Sequence, residues 1–159
     1  MSVDDLCKRL EGWANQLAGR FGHPVYLVGS ALEQGEEARD VDVVVILPKE
    51  EFWGRYGTGS GHESVDPDWS EGSLQWARDM GKLASYAART LQLNIDLKAQ
   101  PDILVTVRQH GRPRRRLDKT SLPEVFVPPK FGCECHWCQD ARMRPMPTEP
   151  PTCGQETDR

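Results

Sequence analysis

Apolar residues recur every three or four positions near the start of the chain, and this spacing predicts an amphipathic helix over residues 3 to about 20. The apolar positions of this stretch are Leu6, Leu10, Trp13, Leu17 and Phe21. Ser2 stands before two acidic residues and is the predicted N-cap of the helix. Since the apolar side chains form one stripe, the helix is predicted to cover a sheet.

Two runs rich in β-branched residues follow and predict strands. The first, Val25–Val28, stops at Gly29 and Ser30. The second, Asp40–Leu47, is almost continuously apolar after its first residues and is closed by Pro48. Continuous apolar character is typical of a strand that is buried on both faces, so the second run is predicted to be a central strand.

The pattern changes character after the second strand. The polar, glycine-rich stretch from Trp53 to Gly72 predicts a loop, and helical spacing returns from Leu74 to Leu91. Two further strands are predicted at Asn94–Ala99 and Ile103–Val107, on either side of Pro101.

Composition narrows the class of protein. A chain of 159 residues has room for one ordinary domain, predicted as residues 1–127, and a proline- and cysteine-rich tail, residues 128–159. With 20 Lys and Arg against 24 Asp and Glu, the formal net charge of -4 argues against nucleic-acid binding through a positive charge spread over the whole protein. No run suits a membrane span or a signal peptide, so we expect a cytoplasmic protein without membrane contact.

The candidate chemistry begins with two aspartates, Asp40 and Asp42, and a gap of nine residues separates Ser30 of the Gly29-Ser30 pair from Asp40. Alternate residues of a strand point to the same face, so the two carboxylates are predicted to lie side by side. A carboxylate pair of this kind suits shared divalent cations. Asp96, on a later predicted strand, is the candidate third ligand.

Gly29 and Ser30 predict a different contribution. The bend at these residues is predicted to lead into a helix whose free amide groups attract phosphate. Glycine allows a triphosphate to approach the backbone closely, and the Ser30 hydroxyl adds one more hydrogen-bond donor. The two residues are therefore candidate nucleotide-binding residues.

This arrangement resembles the DNA polymerase beta-like nucleotidyltransferase superfamily. The signature of that superfamily is a hydrophobic residue, Gly, Gly or Ser, nine to thirteen residues, and then Asp-hydrophobic-Asp/Glu-hydrophobic. Here it stands as Val28-Gly29-Ser30, a gap of nine, and Asp40-Val41-Asp42-Val43. The family's third carboxylate matches Asp96, and the resemblance spans residues 3 to about 107. It implies an α+β fold with a small mixed, mostly antiparallel β-sheet, helices packed on one face and an irregular C-terminal tail.

The resemblance also implies an activity. A minimal nucleotidyltransferase moves a nucleoside monophosphate from an NTP to an acceptor and releases pyrophosphate. Asp40, Asp42 and Asp96 would bind Mg²⁺ or Mn²⁺, and Asp96 would lie nearest the acceptor oxygen as the base. The acceptor is left open between a small molecule, a protein and RNA. Because so short a chain has little room for a separate domain that binds the acceptor, a homodimer or a protein partner is expected.

Structural explanations stand beside these hypotheses. Acidic residues at Asp40 and Asp42 also discourage edge pairing, and Gly29-Ser30 is also an ordinary turn. Asp96 is also explained as a charged residue on the solvent-exposed face of an edge strand. Asp102 is the reserve candidate for the third carboxylate.

Other polar residues have weaker functional interpretations. Lys82 and Lys98 are able to reach phosphates, but a surface charge is the ordinary explanation for each. The glycine-rich residues 57–61 lack the ending of a P-loop and predict a flexible lid. His62 beside them is interpreted as a solvated loop histidine.

The C-terminal third offers two further candidates. The possible ligands of a structural Zn²⁺ are Cys133, Cys135, Cys138 and Cys153, with His136 among them. Their spacing is not that of a standard ribbon or knuckle, so free thiols in a loose tail are the alternative. The arginine run from Arg108 to Arg116 suits a phosphate backbone or a solvated surface.

Two other functions therefore stay open. One is a catalytically inactive nucleotidyltransferase-like binding module that acts through its Arg-rich or Cys-rich C-terminal region. The other is zinc-assisted nucleic-acid binding through the C-terminus.

Overall fold

The computed structural model describes residues 2–57, 74–108, 112–125 and 127. Its helices are α1 (Val3–Phe21), α2 (Ala31–Gln34), α3 (Lys49–Tyr56), α4 (Leu74–Leu91) and α5 (Asp102–Arg108), with a 3₁₀ turn at Gly35–Glu37 directly after α2. Its strands are β1 (Val25–Val28), β2 (Val41–Leu47), β3 (Ile95–Pro101) and β4 (Arg115–Arg116).

Both ends of α1 follow from its own residues. The Ser2 hydroxyl accepts a hydrogen bond from the Asp5 amide at 3.2 Å, which satisfies one of the unpaired donors of the first turn. Gly22 ends the helix with a φ of 73°, and its N–H donates to the Ala18 carbonyl. The predicted helix and its N-cap are therefore confirmed.

The strands form one sheet in the order β3-β2-β1-β4. β1 pairs antiparallel with both β2 and β4, whereas β2 pairs parallel with β3. The prediction of an α+β fold with a small mixed, mostly antiparallel sheet is confirmed, and β2 is central as predicted.

The two faces of the sheet differ in their neighbours. One, the helix face, packs against α1 and α4 in the main core and carries Val25, Leu27, Val41, Val43, Val45, Leu47, Ile95, Leu97 and Ala99. The other, the pocket face, carries the alternate residues. Tyr26, Val44 and Ile46 form a second, smaller cluster there with Val105 of α5 and Val127. The rest of the pocket face carries polar residues of β2 and β3, namely Asp42, Asp96, Lys98 and Gln100.

Parallel strands need a crossover connection, and here it contains the packed helices α3 and α4. The Trp76 indole N–H donates to the Ala99 carbonyl at 2.9 Å, and the Ala99 N–H donates to the Met80 sulfur at 3.2 Å. Since Ala99 lies in β3, the outermost strand on this side, α4 both covers the helix face and occupies part of the outer edge of the sheet.

The predicted strand Ile103–Val107 is wrong, because these residues lie in helix α5. Asp102 begins the helix, and its carboxylate accepts a hydrogen bond from the Ile103 amide at 2.7 Å. Leu104 and Val105 are both buried. Tertiary packing of these side chains outweighs the strand preference of a β-branched run, since propensity differences are below about 1 kcal/mol per residue.

The loop predicted from Trp53 is wrong at its beginning, because Trp53–Tyr56 complete helix α3. Phe52 and Tyr56 lie one turn apart on this helix, both are buried, and their ring centroids are 5.2 Å apart. The remainder of the predicted loop, residues 58–72, lies outside the described residues.

A buried carboxylate ties the segment after β4 to β1. Asp118 accepts hydrogen bonds from the Val25 amide at 2.8 Å, from Arg116 at 2.9 Å and from the Thr120 amide at 3.2 Å. Burial alone would raise the pKa of Asp118, but the hydrogen bonds from Arg116, Thr120 and Val25 outweigh it and lower the pKa below its ordinary value of 3.8. β4 is thus part of the domain.

None of the helices in the described ranges combines the length and the apolar character that crossing a membrane requires.

Candidate active site

Two of the predicted site residues lie next to each other in the sheet. Asp42 of β2 and Asp96 of β3 are direct partners in the parallel register. Adjacent strands are about 4.8 Å apart, and residues in register point to the same face. Asp42 is partly buried and Asp96 is exposed, so this pair of carboxylates is accessible to solvent from the side of Asp96.

The pKa of Asp42 is raised above its ordinary value of 3.8, first because burial penalises the charged form. The charge of Asp96 raises this pKa further and that of Asp40 adds to it, whereas Lys98 acts in the opposite direction. Lys98 therefore offsets only part of the effect that the neighbouring negative charges have on the pKa of Asp42.

Gly29 shapes the other side of this acidic pair. It follows β1, whose last residue, Val28, lies opposite Asp42 in the antiparallel register. Gly29 has a φ of 72°, a left-handed conformation that favours glycine. A Cβ at this position would stand 3.3 Å from the Asp42 Cγ and collide with its carboxylate oxygen. Glycine thus avoids strain in the backbone turn and allows the close approach of Asp42.

An open pocket of about 160 Å³ connects these groups on the pocket face. Its lining consists of Val28, Gly29, Asp42, Val43, Val44, Asp96, Lys98, Gln100 and Arg112. The Lys98 ammonium lies 3.2 Å from the Asp96 carboxylate. The pocket therefore presents two carboxylates and two cations within a small volume.

Asp40 is placed differently from the prediction. β2 begins at Val41, so Asp40 precedes the strand, and the Asn94 side-chain amide donates to its carboxylate. The Arg39 guanidinium lies 3.8 Å from the same carboxylate. Asp40 is not among the residues that line the pocket. Its effect on the pKa of Asp42 still shows that its charge acts on the site.

Across the described ranges, no group of three or more His, Cys, Asp or Glu side chains is close enough to hold a metal ion. The structure thus brings Asp42 and Asp96 together and leaves Asp40 beside them. The role of Asp40 as a metal ligand stays a prediction.

The helix that follows Gly29 and Ser30 is a single turn, Ala31–Gln34. Ser30 is exposed and caps α2, a helix of a single turn, without a side-chain capping bond. The amides of Leu32 and Glu33 donate to the carbonyls of Gly29 and Ser30, at 3.2 and 3.1 Å. The prediction of free amide groups is therefore wrong for these two residues, because the tight turn uses them itself. The Ser30 hydroxyl remains a predicted phosphate donor.

Most of the described arginine run has structural partners. The Arg115 guanidinium lies 2.6 Å from the Asp4 carboxylate, and that of Arg116 lies 2.9 Å from Asp118. Arg114 lies over the Tyr26 ring at 4.7 Å. Arg112 is the member that lines the pocket. The run is therefore not a solvated strip of equivalent cations.

Sequence reasoning missed Gln100 and Arg112 and treated Lys98 as a surface charge. The sequence did contain a signal for Lys98 and Gln100, because these residues alternate with Asp96 along one strand and must share a face with it. No feature of the sequence around Arg112 distinguishes it from the neighbouring arginines. Asp102 and Lys82 do not line the pocket, since Asp102 begins α5 and Lys82 is exposed on α4.

Several predictions lie outside the described residues. They concern the lid at residues 58–61, His62, and the zinc ligands Cys133, Cys135, Cys138, Cys153 and His136.

Comparison of the chain with protein-family models, with curated proteins and with solved structures found no match.

The Gly29 contact predicts the effect of a single methyl group. We expect Gly29→Ala to lower the free energy of unfolding by about 1 to 2 kcal/mol, because alanine is strained at positive φ, and to displace the Asp42 carboxylate. Urea unfolding measures the first effect and Mn²⁺ binding the second. Gly12→Ala is the control, since a Cβ at Gly12 meets nothing within 4 Å, and we expect it to stabilise helix α1 by about 0.5 to 1 kcal/mol. A Gly29→Ala protein with unchanged stability and Mn²⁺ affinity contradicts this account.

Proposed function

We propose that this protein is a metal-dependent nucleotidyltransferase that moves a nucleoside monophosphate from an NTP to an acceptor and releases pyrophosphate. The observation that carries the proposal is the register of Asp42 and Asp96, which stand side by side where the pocket opens beside Gly29. The resemblance of residues 28–43 to the nucleotidyltransferase signature points the same way.

The donor set suits Mg²⁺ or Mn²⁺. These hard cations prefer carboxylate oxygens, and Mg²⁺ is usually bound by one or two carboxylates together with substrate phosphates and water. A divalent ion would also offset the burial and the repulsion from Asp96 that together raise the pKa of Asp42. Asp42 and Asp96 would hold the ion, and Asp40 is the candidate for a further ligand.

A bound divalent ion would neutralise charge on the phosphates and lower the pKa of the attacking hydroxyl. The residues of the chain supply the rest. Asp96 is exposed and lines the pocket, which supports a role for it in accepting the proton of an acceptor hydroxyl. Gly29 leaves room for the Asp42 carboxylate beside the end of β1, because a Cβ at this position would collide with that carboxylate. A pocket of about 160 Å³ suits the phosphate end of a nucleotide, with the base outside it.

The test is label transfer. The protein is incubated with each of the four α-labelled NTPs, with Mg²⁺ or Mn²⁺ and a cell extract, and the labelled fraction is identified as metabolite, protein or RNA. We expect label on one class of acceptor from one or more NTPs, and none after chelation of the metal. Absence of label with all four NTPs and both ions overturns the proposal.

The second candidate is a binding module built on the same fold. It is favoured by the ion pair of Lys98 with Asp96 and by the hydrogen bond of Asn94 to Asp40, since both engage carboxylates that catalysis requires. Such a module would bind a polyphosphate and transfer nothing. Nucleotide binding that needs no divalent ion, together with absent label transfer, identifies it.

A further inference from the structure

The pocket face of β3 carries three polar side chains of different charge. Asp96, Lys98 and Gln100 occupy alternate positions of the strand and line the same pocket. Lys98 is anchored in the sheet, where it lies in register with Val44, and its side chain is 35% exposed. Its ammonium can therefore turn between the neighbouring carboxylate and the pocket opening.

The charges of this pocket do not suit one simple ion. Asp42 and Asp96 repel a free anion, whereas Lys98 and Arg112 repel a free cation. A complex of a divalent ion with a polyphosphate carries both signs and matches both halves of the lining. The cations and carboxylates of the pocket thus favour the two ligands together over either alone.

Lys98 has a specific conflict with a metal ion. Its ammonium lies 3.2 Å from the Asp96 carboxylate, which is one of the two carboxylates proposed to hold the metal. An ammonium and a divalent cation cannot both stay closely paired with that carboxylate without strong repulsion. When the ion binds Asp96, the attraction of the ammonium to that carboxylate is weakened, and a phosphate beside the ion becomes a favourable partner for it.

We infer that Lys98 is a polyphosphate-binding residue that exchanges its carboxylate partner for the phosphate tail of the nucleotide when a divalent ion binds Asp96. The inference rests on the proposed function, because it requires a metal at Asp42 and Asp96. Lys98 keeps the acidic pair partly neutral before substrate arrives and binds the substrate afterwards. Its ordinary explanation, a surface charge that only balances Asp96, predicts no role toward phosphate.

The two accounts differ in the sign of two binding changes in Lys98→Met. We expect Mn²⁺ alone, measured by electron paramagnetic resonance, to bind this variant about fivefold more tightly, because its competitor for Asp96 is gone. We expect tripolyphosphate in the presence of Mn²⁺, measured by calorimetry, to bind about tenfold more weakly, because a charge-assisted contact is lost. Lys98→Gln provides the same test with a polar side chain if the methionine variant folds poorly.

Two controls separate the exchange from a general change of charge. Lys82→Met removes an exposed cation from α4, outside the pocket, and we expect both affinities to stay unchanged. Arg112→Met removes a cation from the pocket itself, and we expect weaker tripolyphosphate binding with less than a twofold change for Mn²⁺. Equal tightening of Mn²⁺ in the Lys98 and Arg112 variants overturns the exchange.

The remaining outcomes distinguish a failure of the role inferred for Lys98 from a failure of the proposed function. Wild-type protein that binds Mn²⁺ through Asp42, with Lys98→Met lowering both affinities or neither, overturns the role of Lys98 and leaves the proposed function standing. Wild-type protein that binds no Mn²⁺ overturns both.

Discussion

Asp42→Asn is expected to lower nucleotidyl transfer by about 100-fold or more, because asparagine keeps the shape of the side chain and removes the charge that would hold the metal. A loss of this size corresponds to about 2.7 kcal/mol or more of transition-state stabilisation. Label transfer from the active NTP measures it. Mn²⁺ affinity is expected to fall in parallel.

The stability of Asp42→Asn provides the internal control. The pKa of Asp42 is raised in the folded protein, so at neutral pH its charge opposes folding, and stability is gained as the pH falls through the folded pKa. A neutral side chain removes that opposition. We therefore expect the thermal midpoint at pH 7 to be equal to or above that of the wild type. Full transfer activity in this variant rejects the assignment, and a lowered midpoint contradicts the electrostatic account of Asp42.

Asp118→Ala is expected to lower the free energy of unfolding by about 3 kcal/mol. The Asp118 side chain is 0% exposed, and its removal leaves the Val25 amide and the Arg116 guanidinium without this acceptor. Urea unfolding at pH 7 measures the loss. Lys119→Ala is the matched neighbour, because its exposed ion pair with Glu11 is expected to be worth no more than about 1 kcal/mol.

The same carboxylate predicts a dependence on pH. The pKa of Asp118 is lowered on folding, so its contribution is complete above the ordinary value of 3.8 and is lost as the pH falls through the lower folded value. The difference in stability between wild type and Asp118→Ala should therefore be largest at neutral pH and shrink in strong acid. A difference that is constant from pH 7 into strong acid contradicts the assigned role of the charge.

The elements with long periodic patterns could be predicted from the sequence. Helix α1 and helix α4 each have an apolar stripe over four or more turns, and β2 is a run of apolar residues too continuous for an exposed position. The apolar positions of these patterns are the ones that become buried, and burial is what stabilises the elements. The elements predicted from the sequence are therefore the ones that form. The packing of α1 and α4 on the helix face of the sheet follows from these stripes.

Three short elements, α3, α5 and β4, could not be predicted from the sequence. Helix α5 consists largely of β-branched and aliphatic residues, and its seven residues are too few for a helical period to stand out against strand propensity. Helix α3 had local signals that the glycine-rich sequence after it obscured, namely Pro48 before it and Glu50 and Glu51 in its first turn. β4 is a strand only because β1 offers it a partner.

The candidate site likewise has features that the sequence predicted and features that it could not predict. The spacing of Gly29 and Asp42 along the chain was enough to indicate that they lie close together, because β1 and β2 are neighbours in the sequence and pair in the sheet. The pairing of Asp42 with Asp96 depends on the parallel register of β2 and β3, which no local pattern specifies. Asp40 shows the limit of the alternation argument, since it holds only inside the strand and β2 begins one residue later.

The contacts of Ala99 with α4 have a consequence for self-association. An outermost strand with free backbone groups is a template on which another copy can extend the sheet. At Ala99 the carbonyl is engaged by the Trp76 indole and the amide by the Met80 sulfur, so a second chain would first have to displace both side chains. Pro101, at the end of the same strand, has no amide hydrogen to offer an incoming strand. A homodimer of this protein would therefore be expected to form through surfaces other than the outer edge of β3.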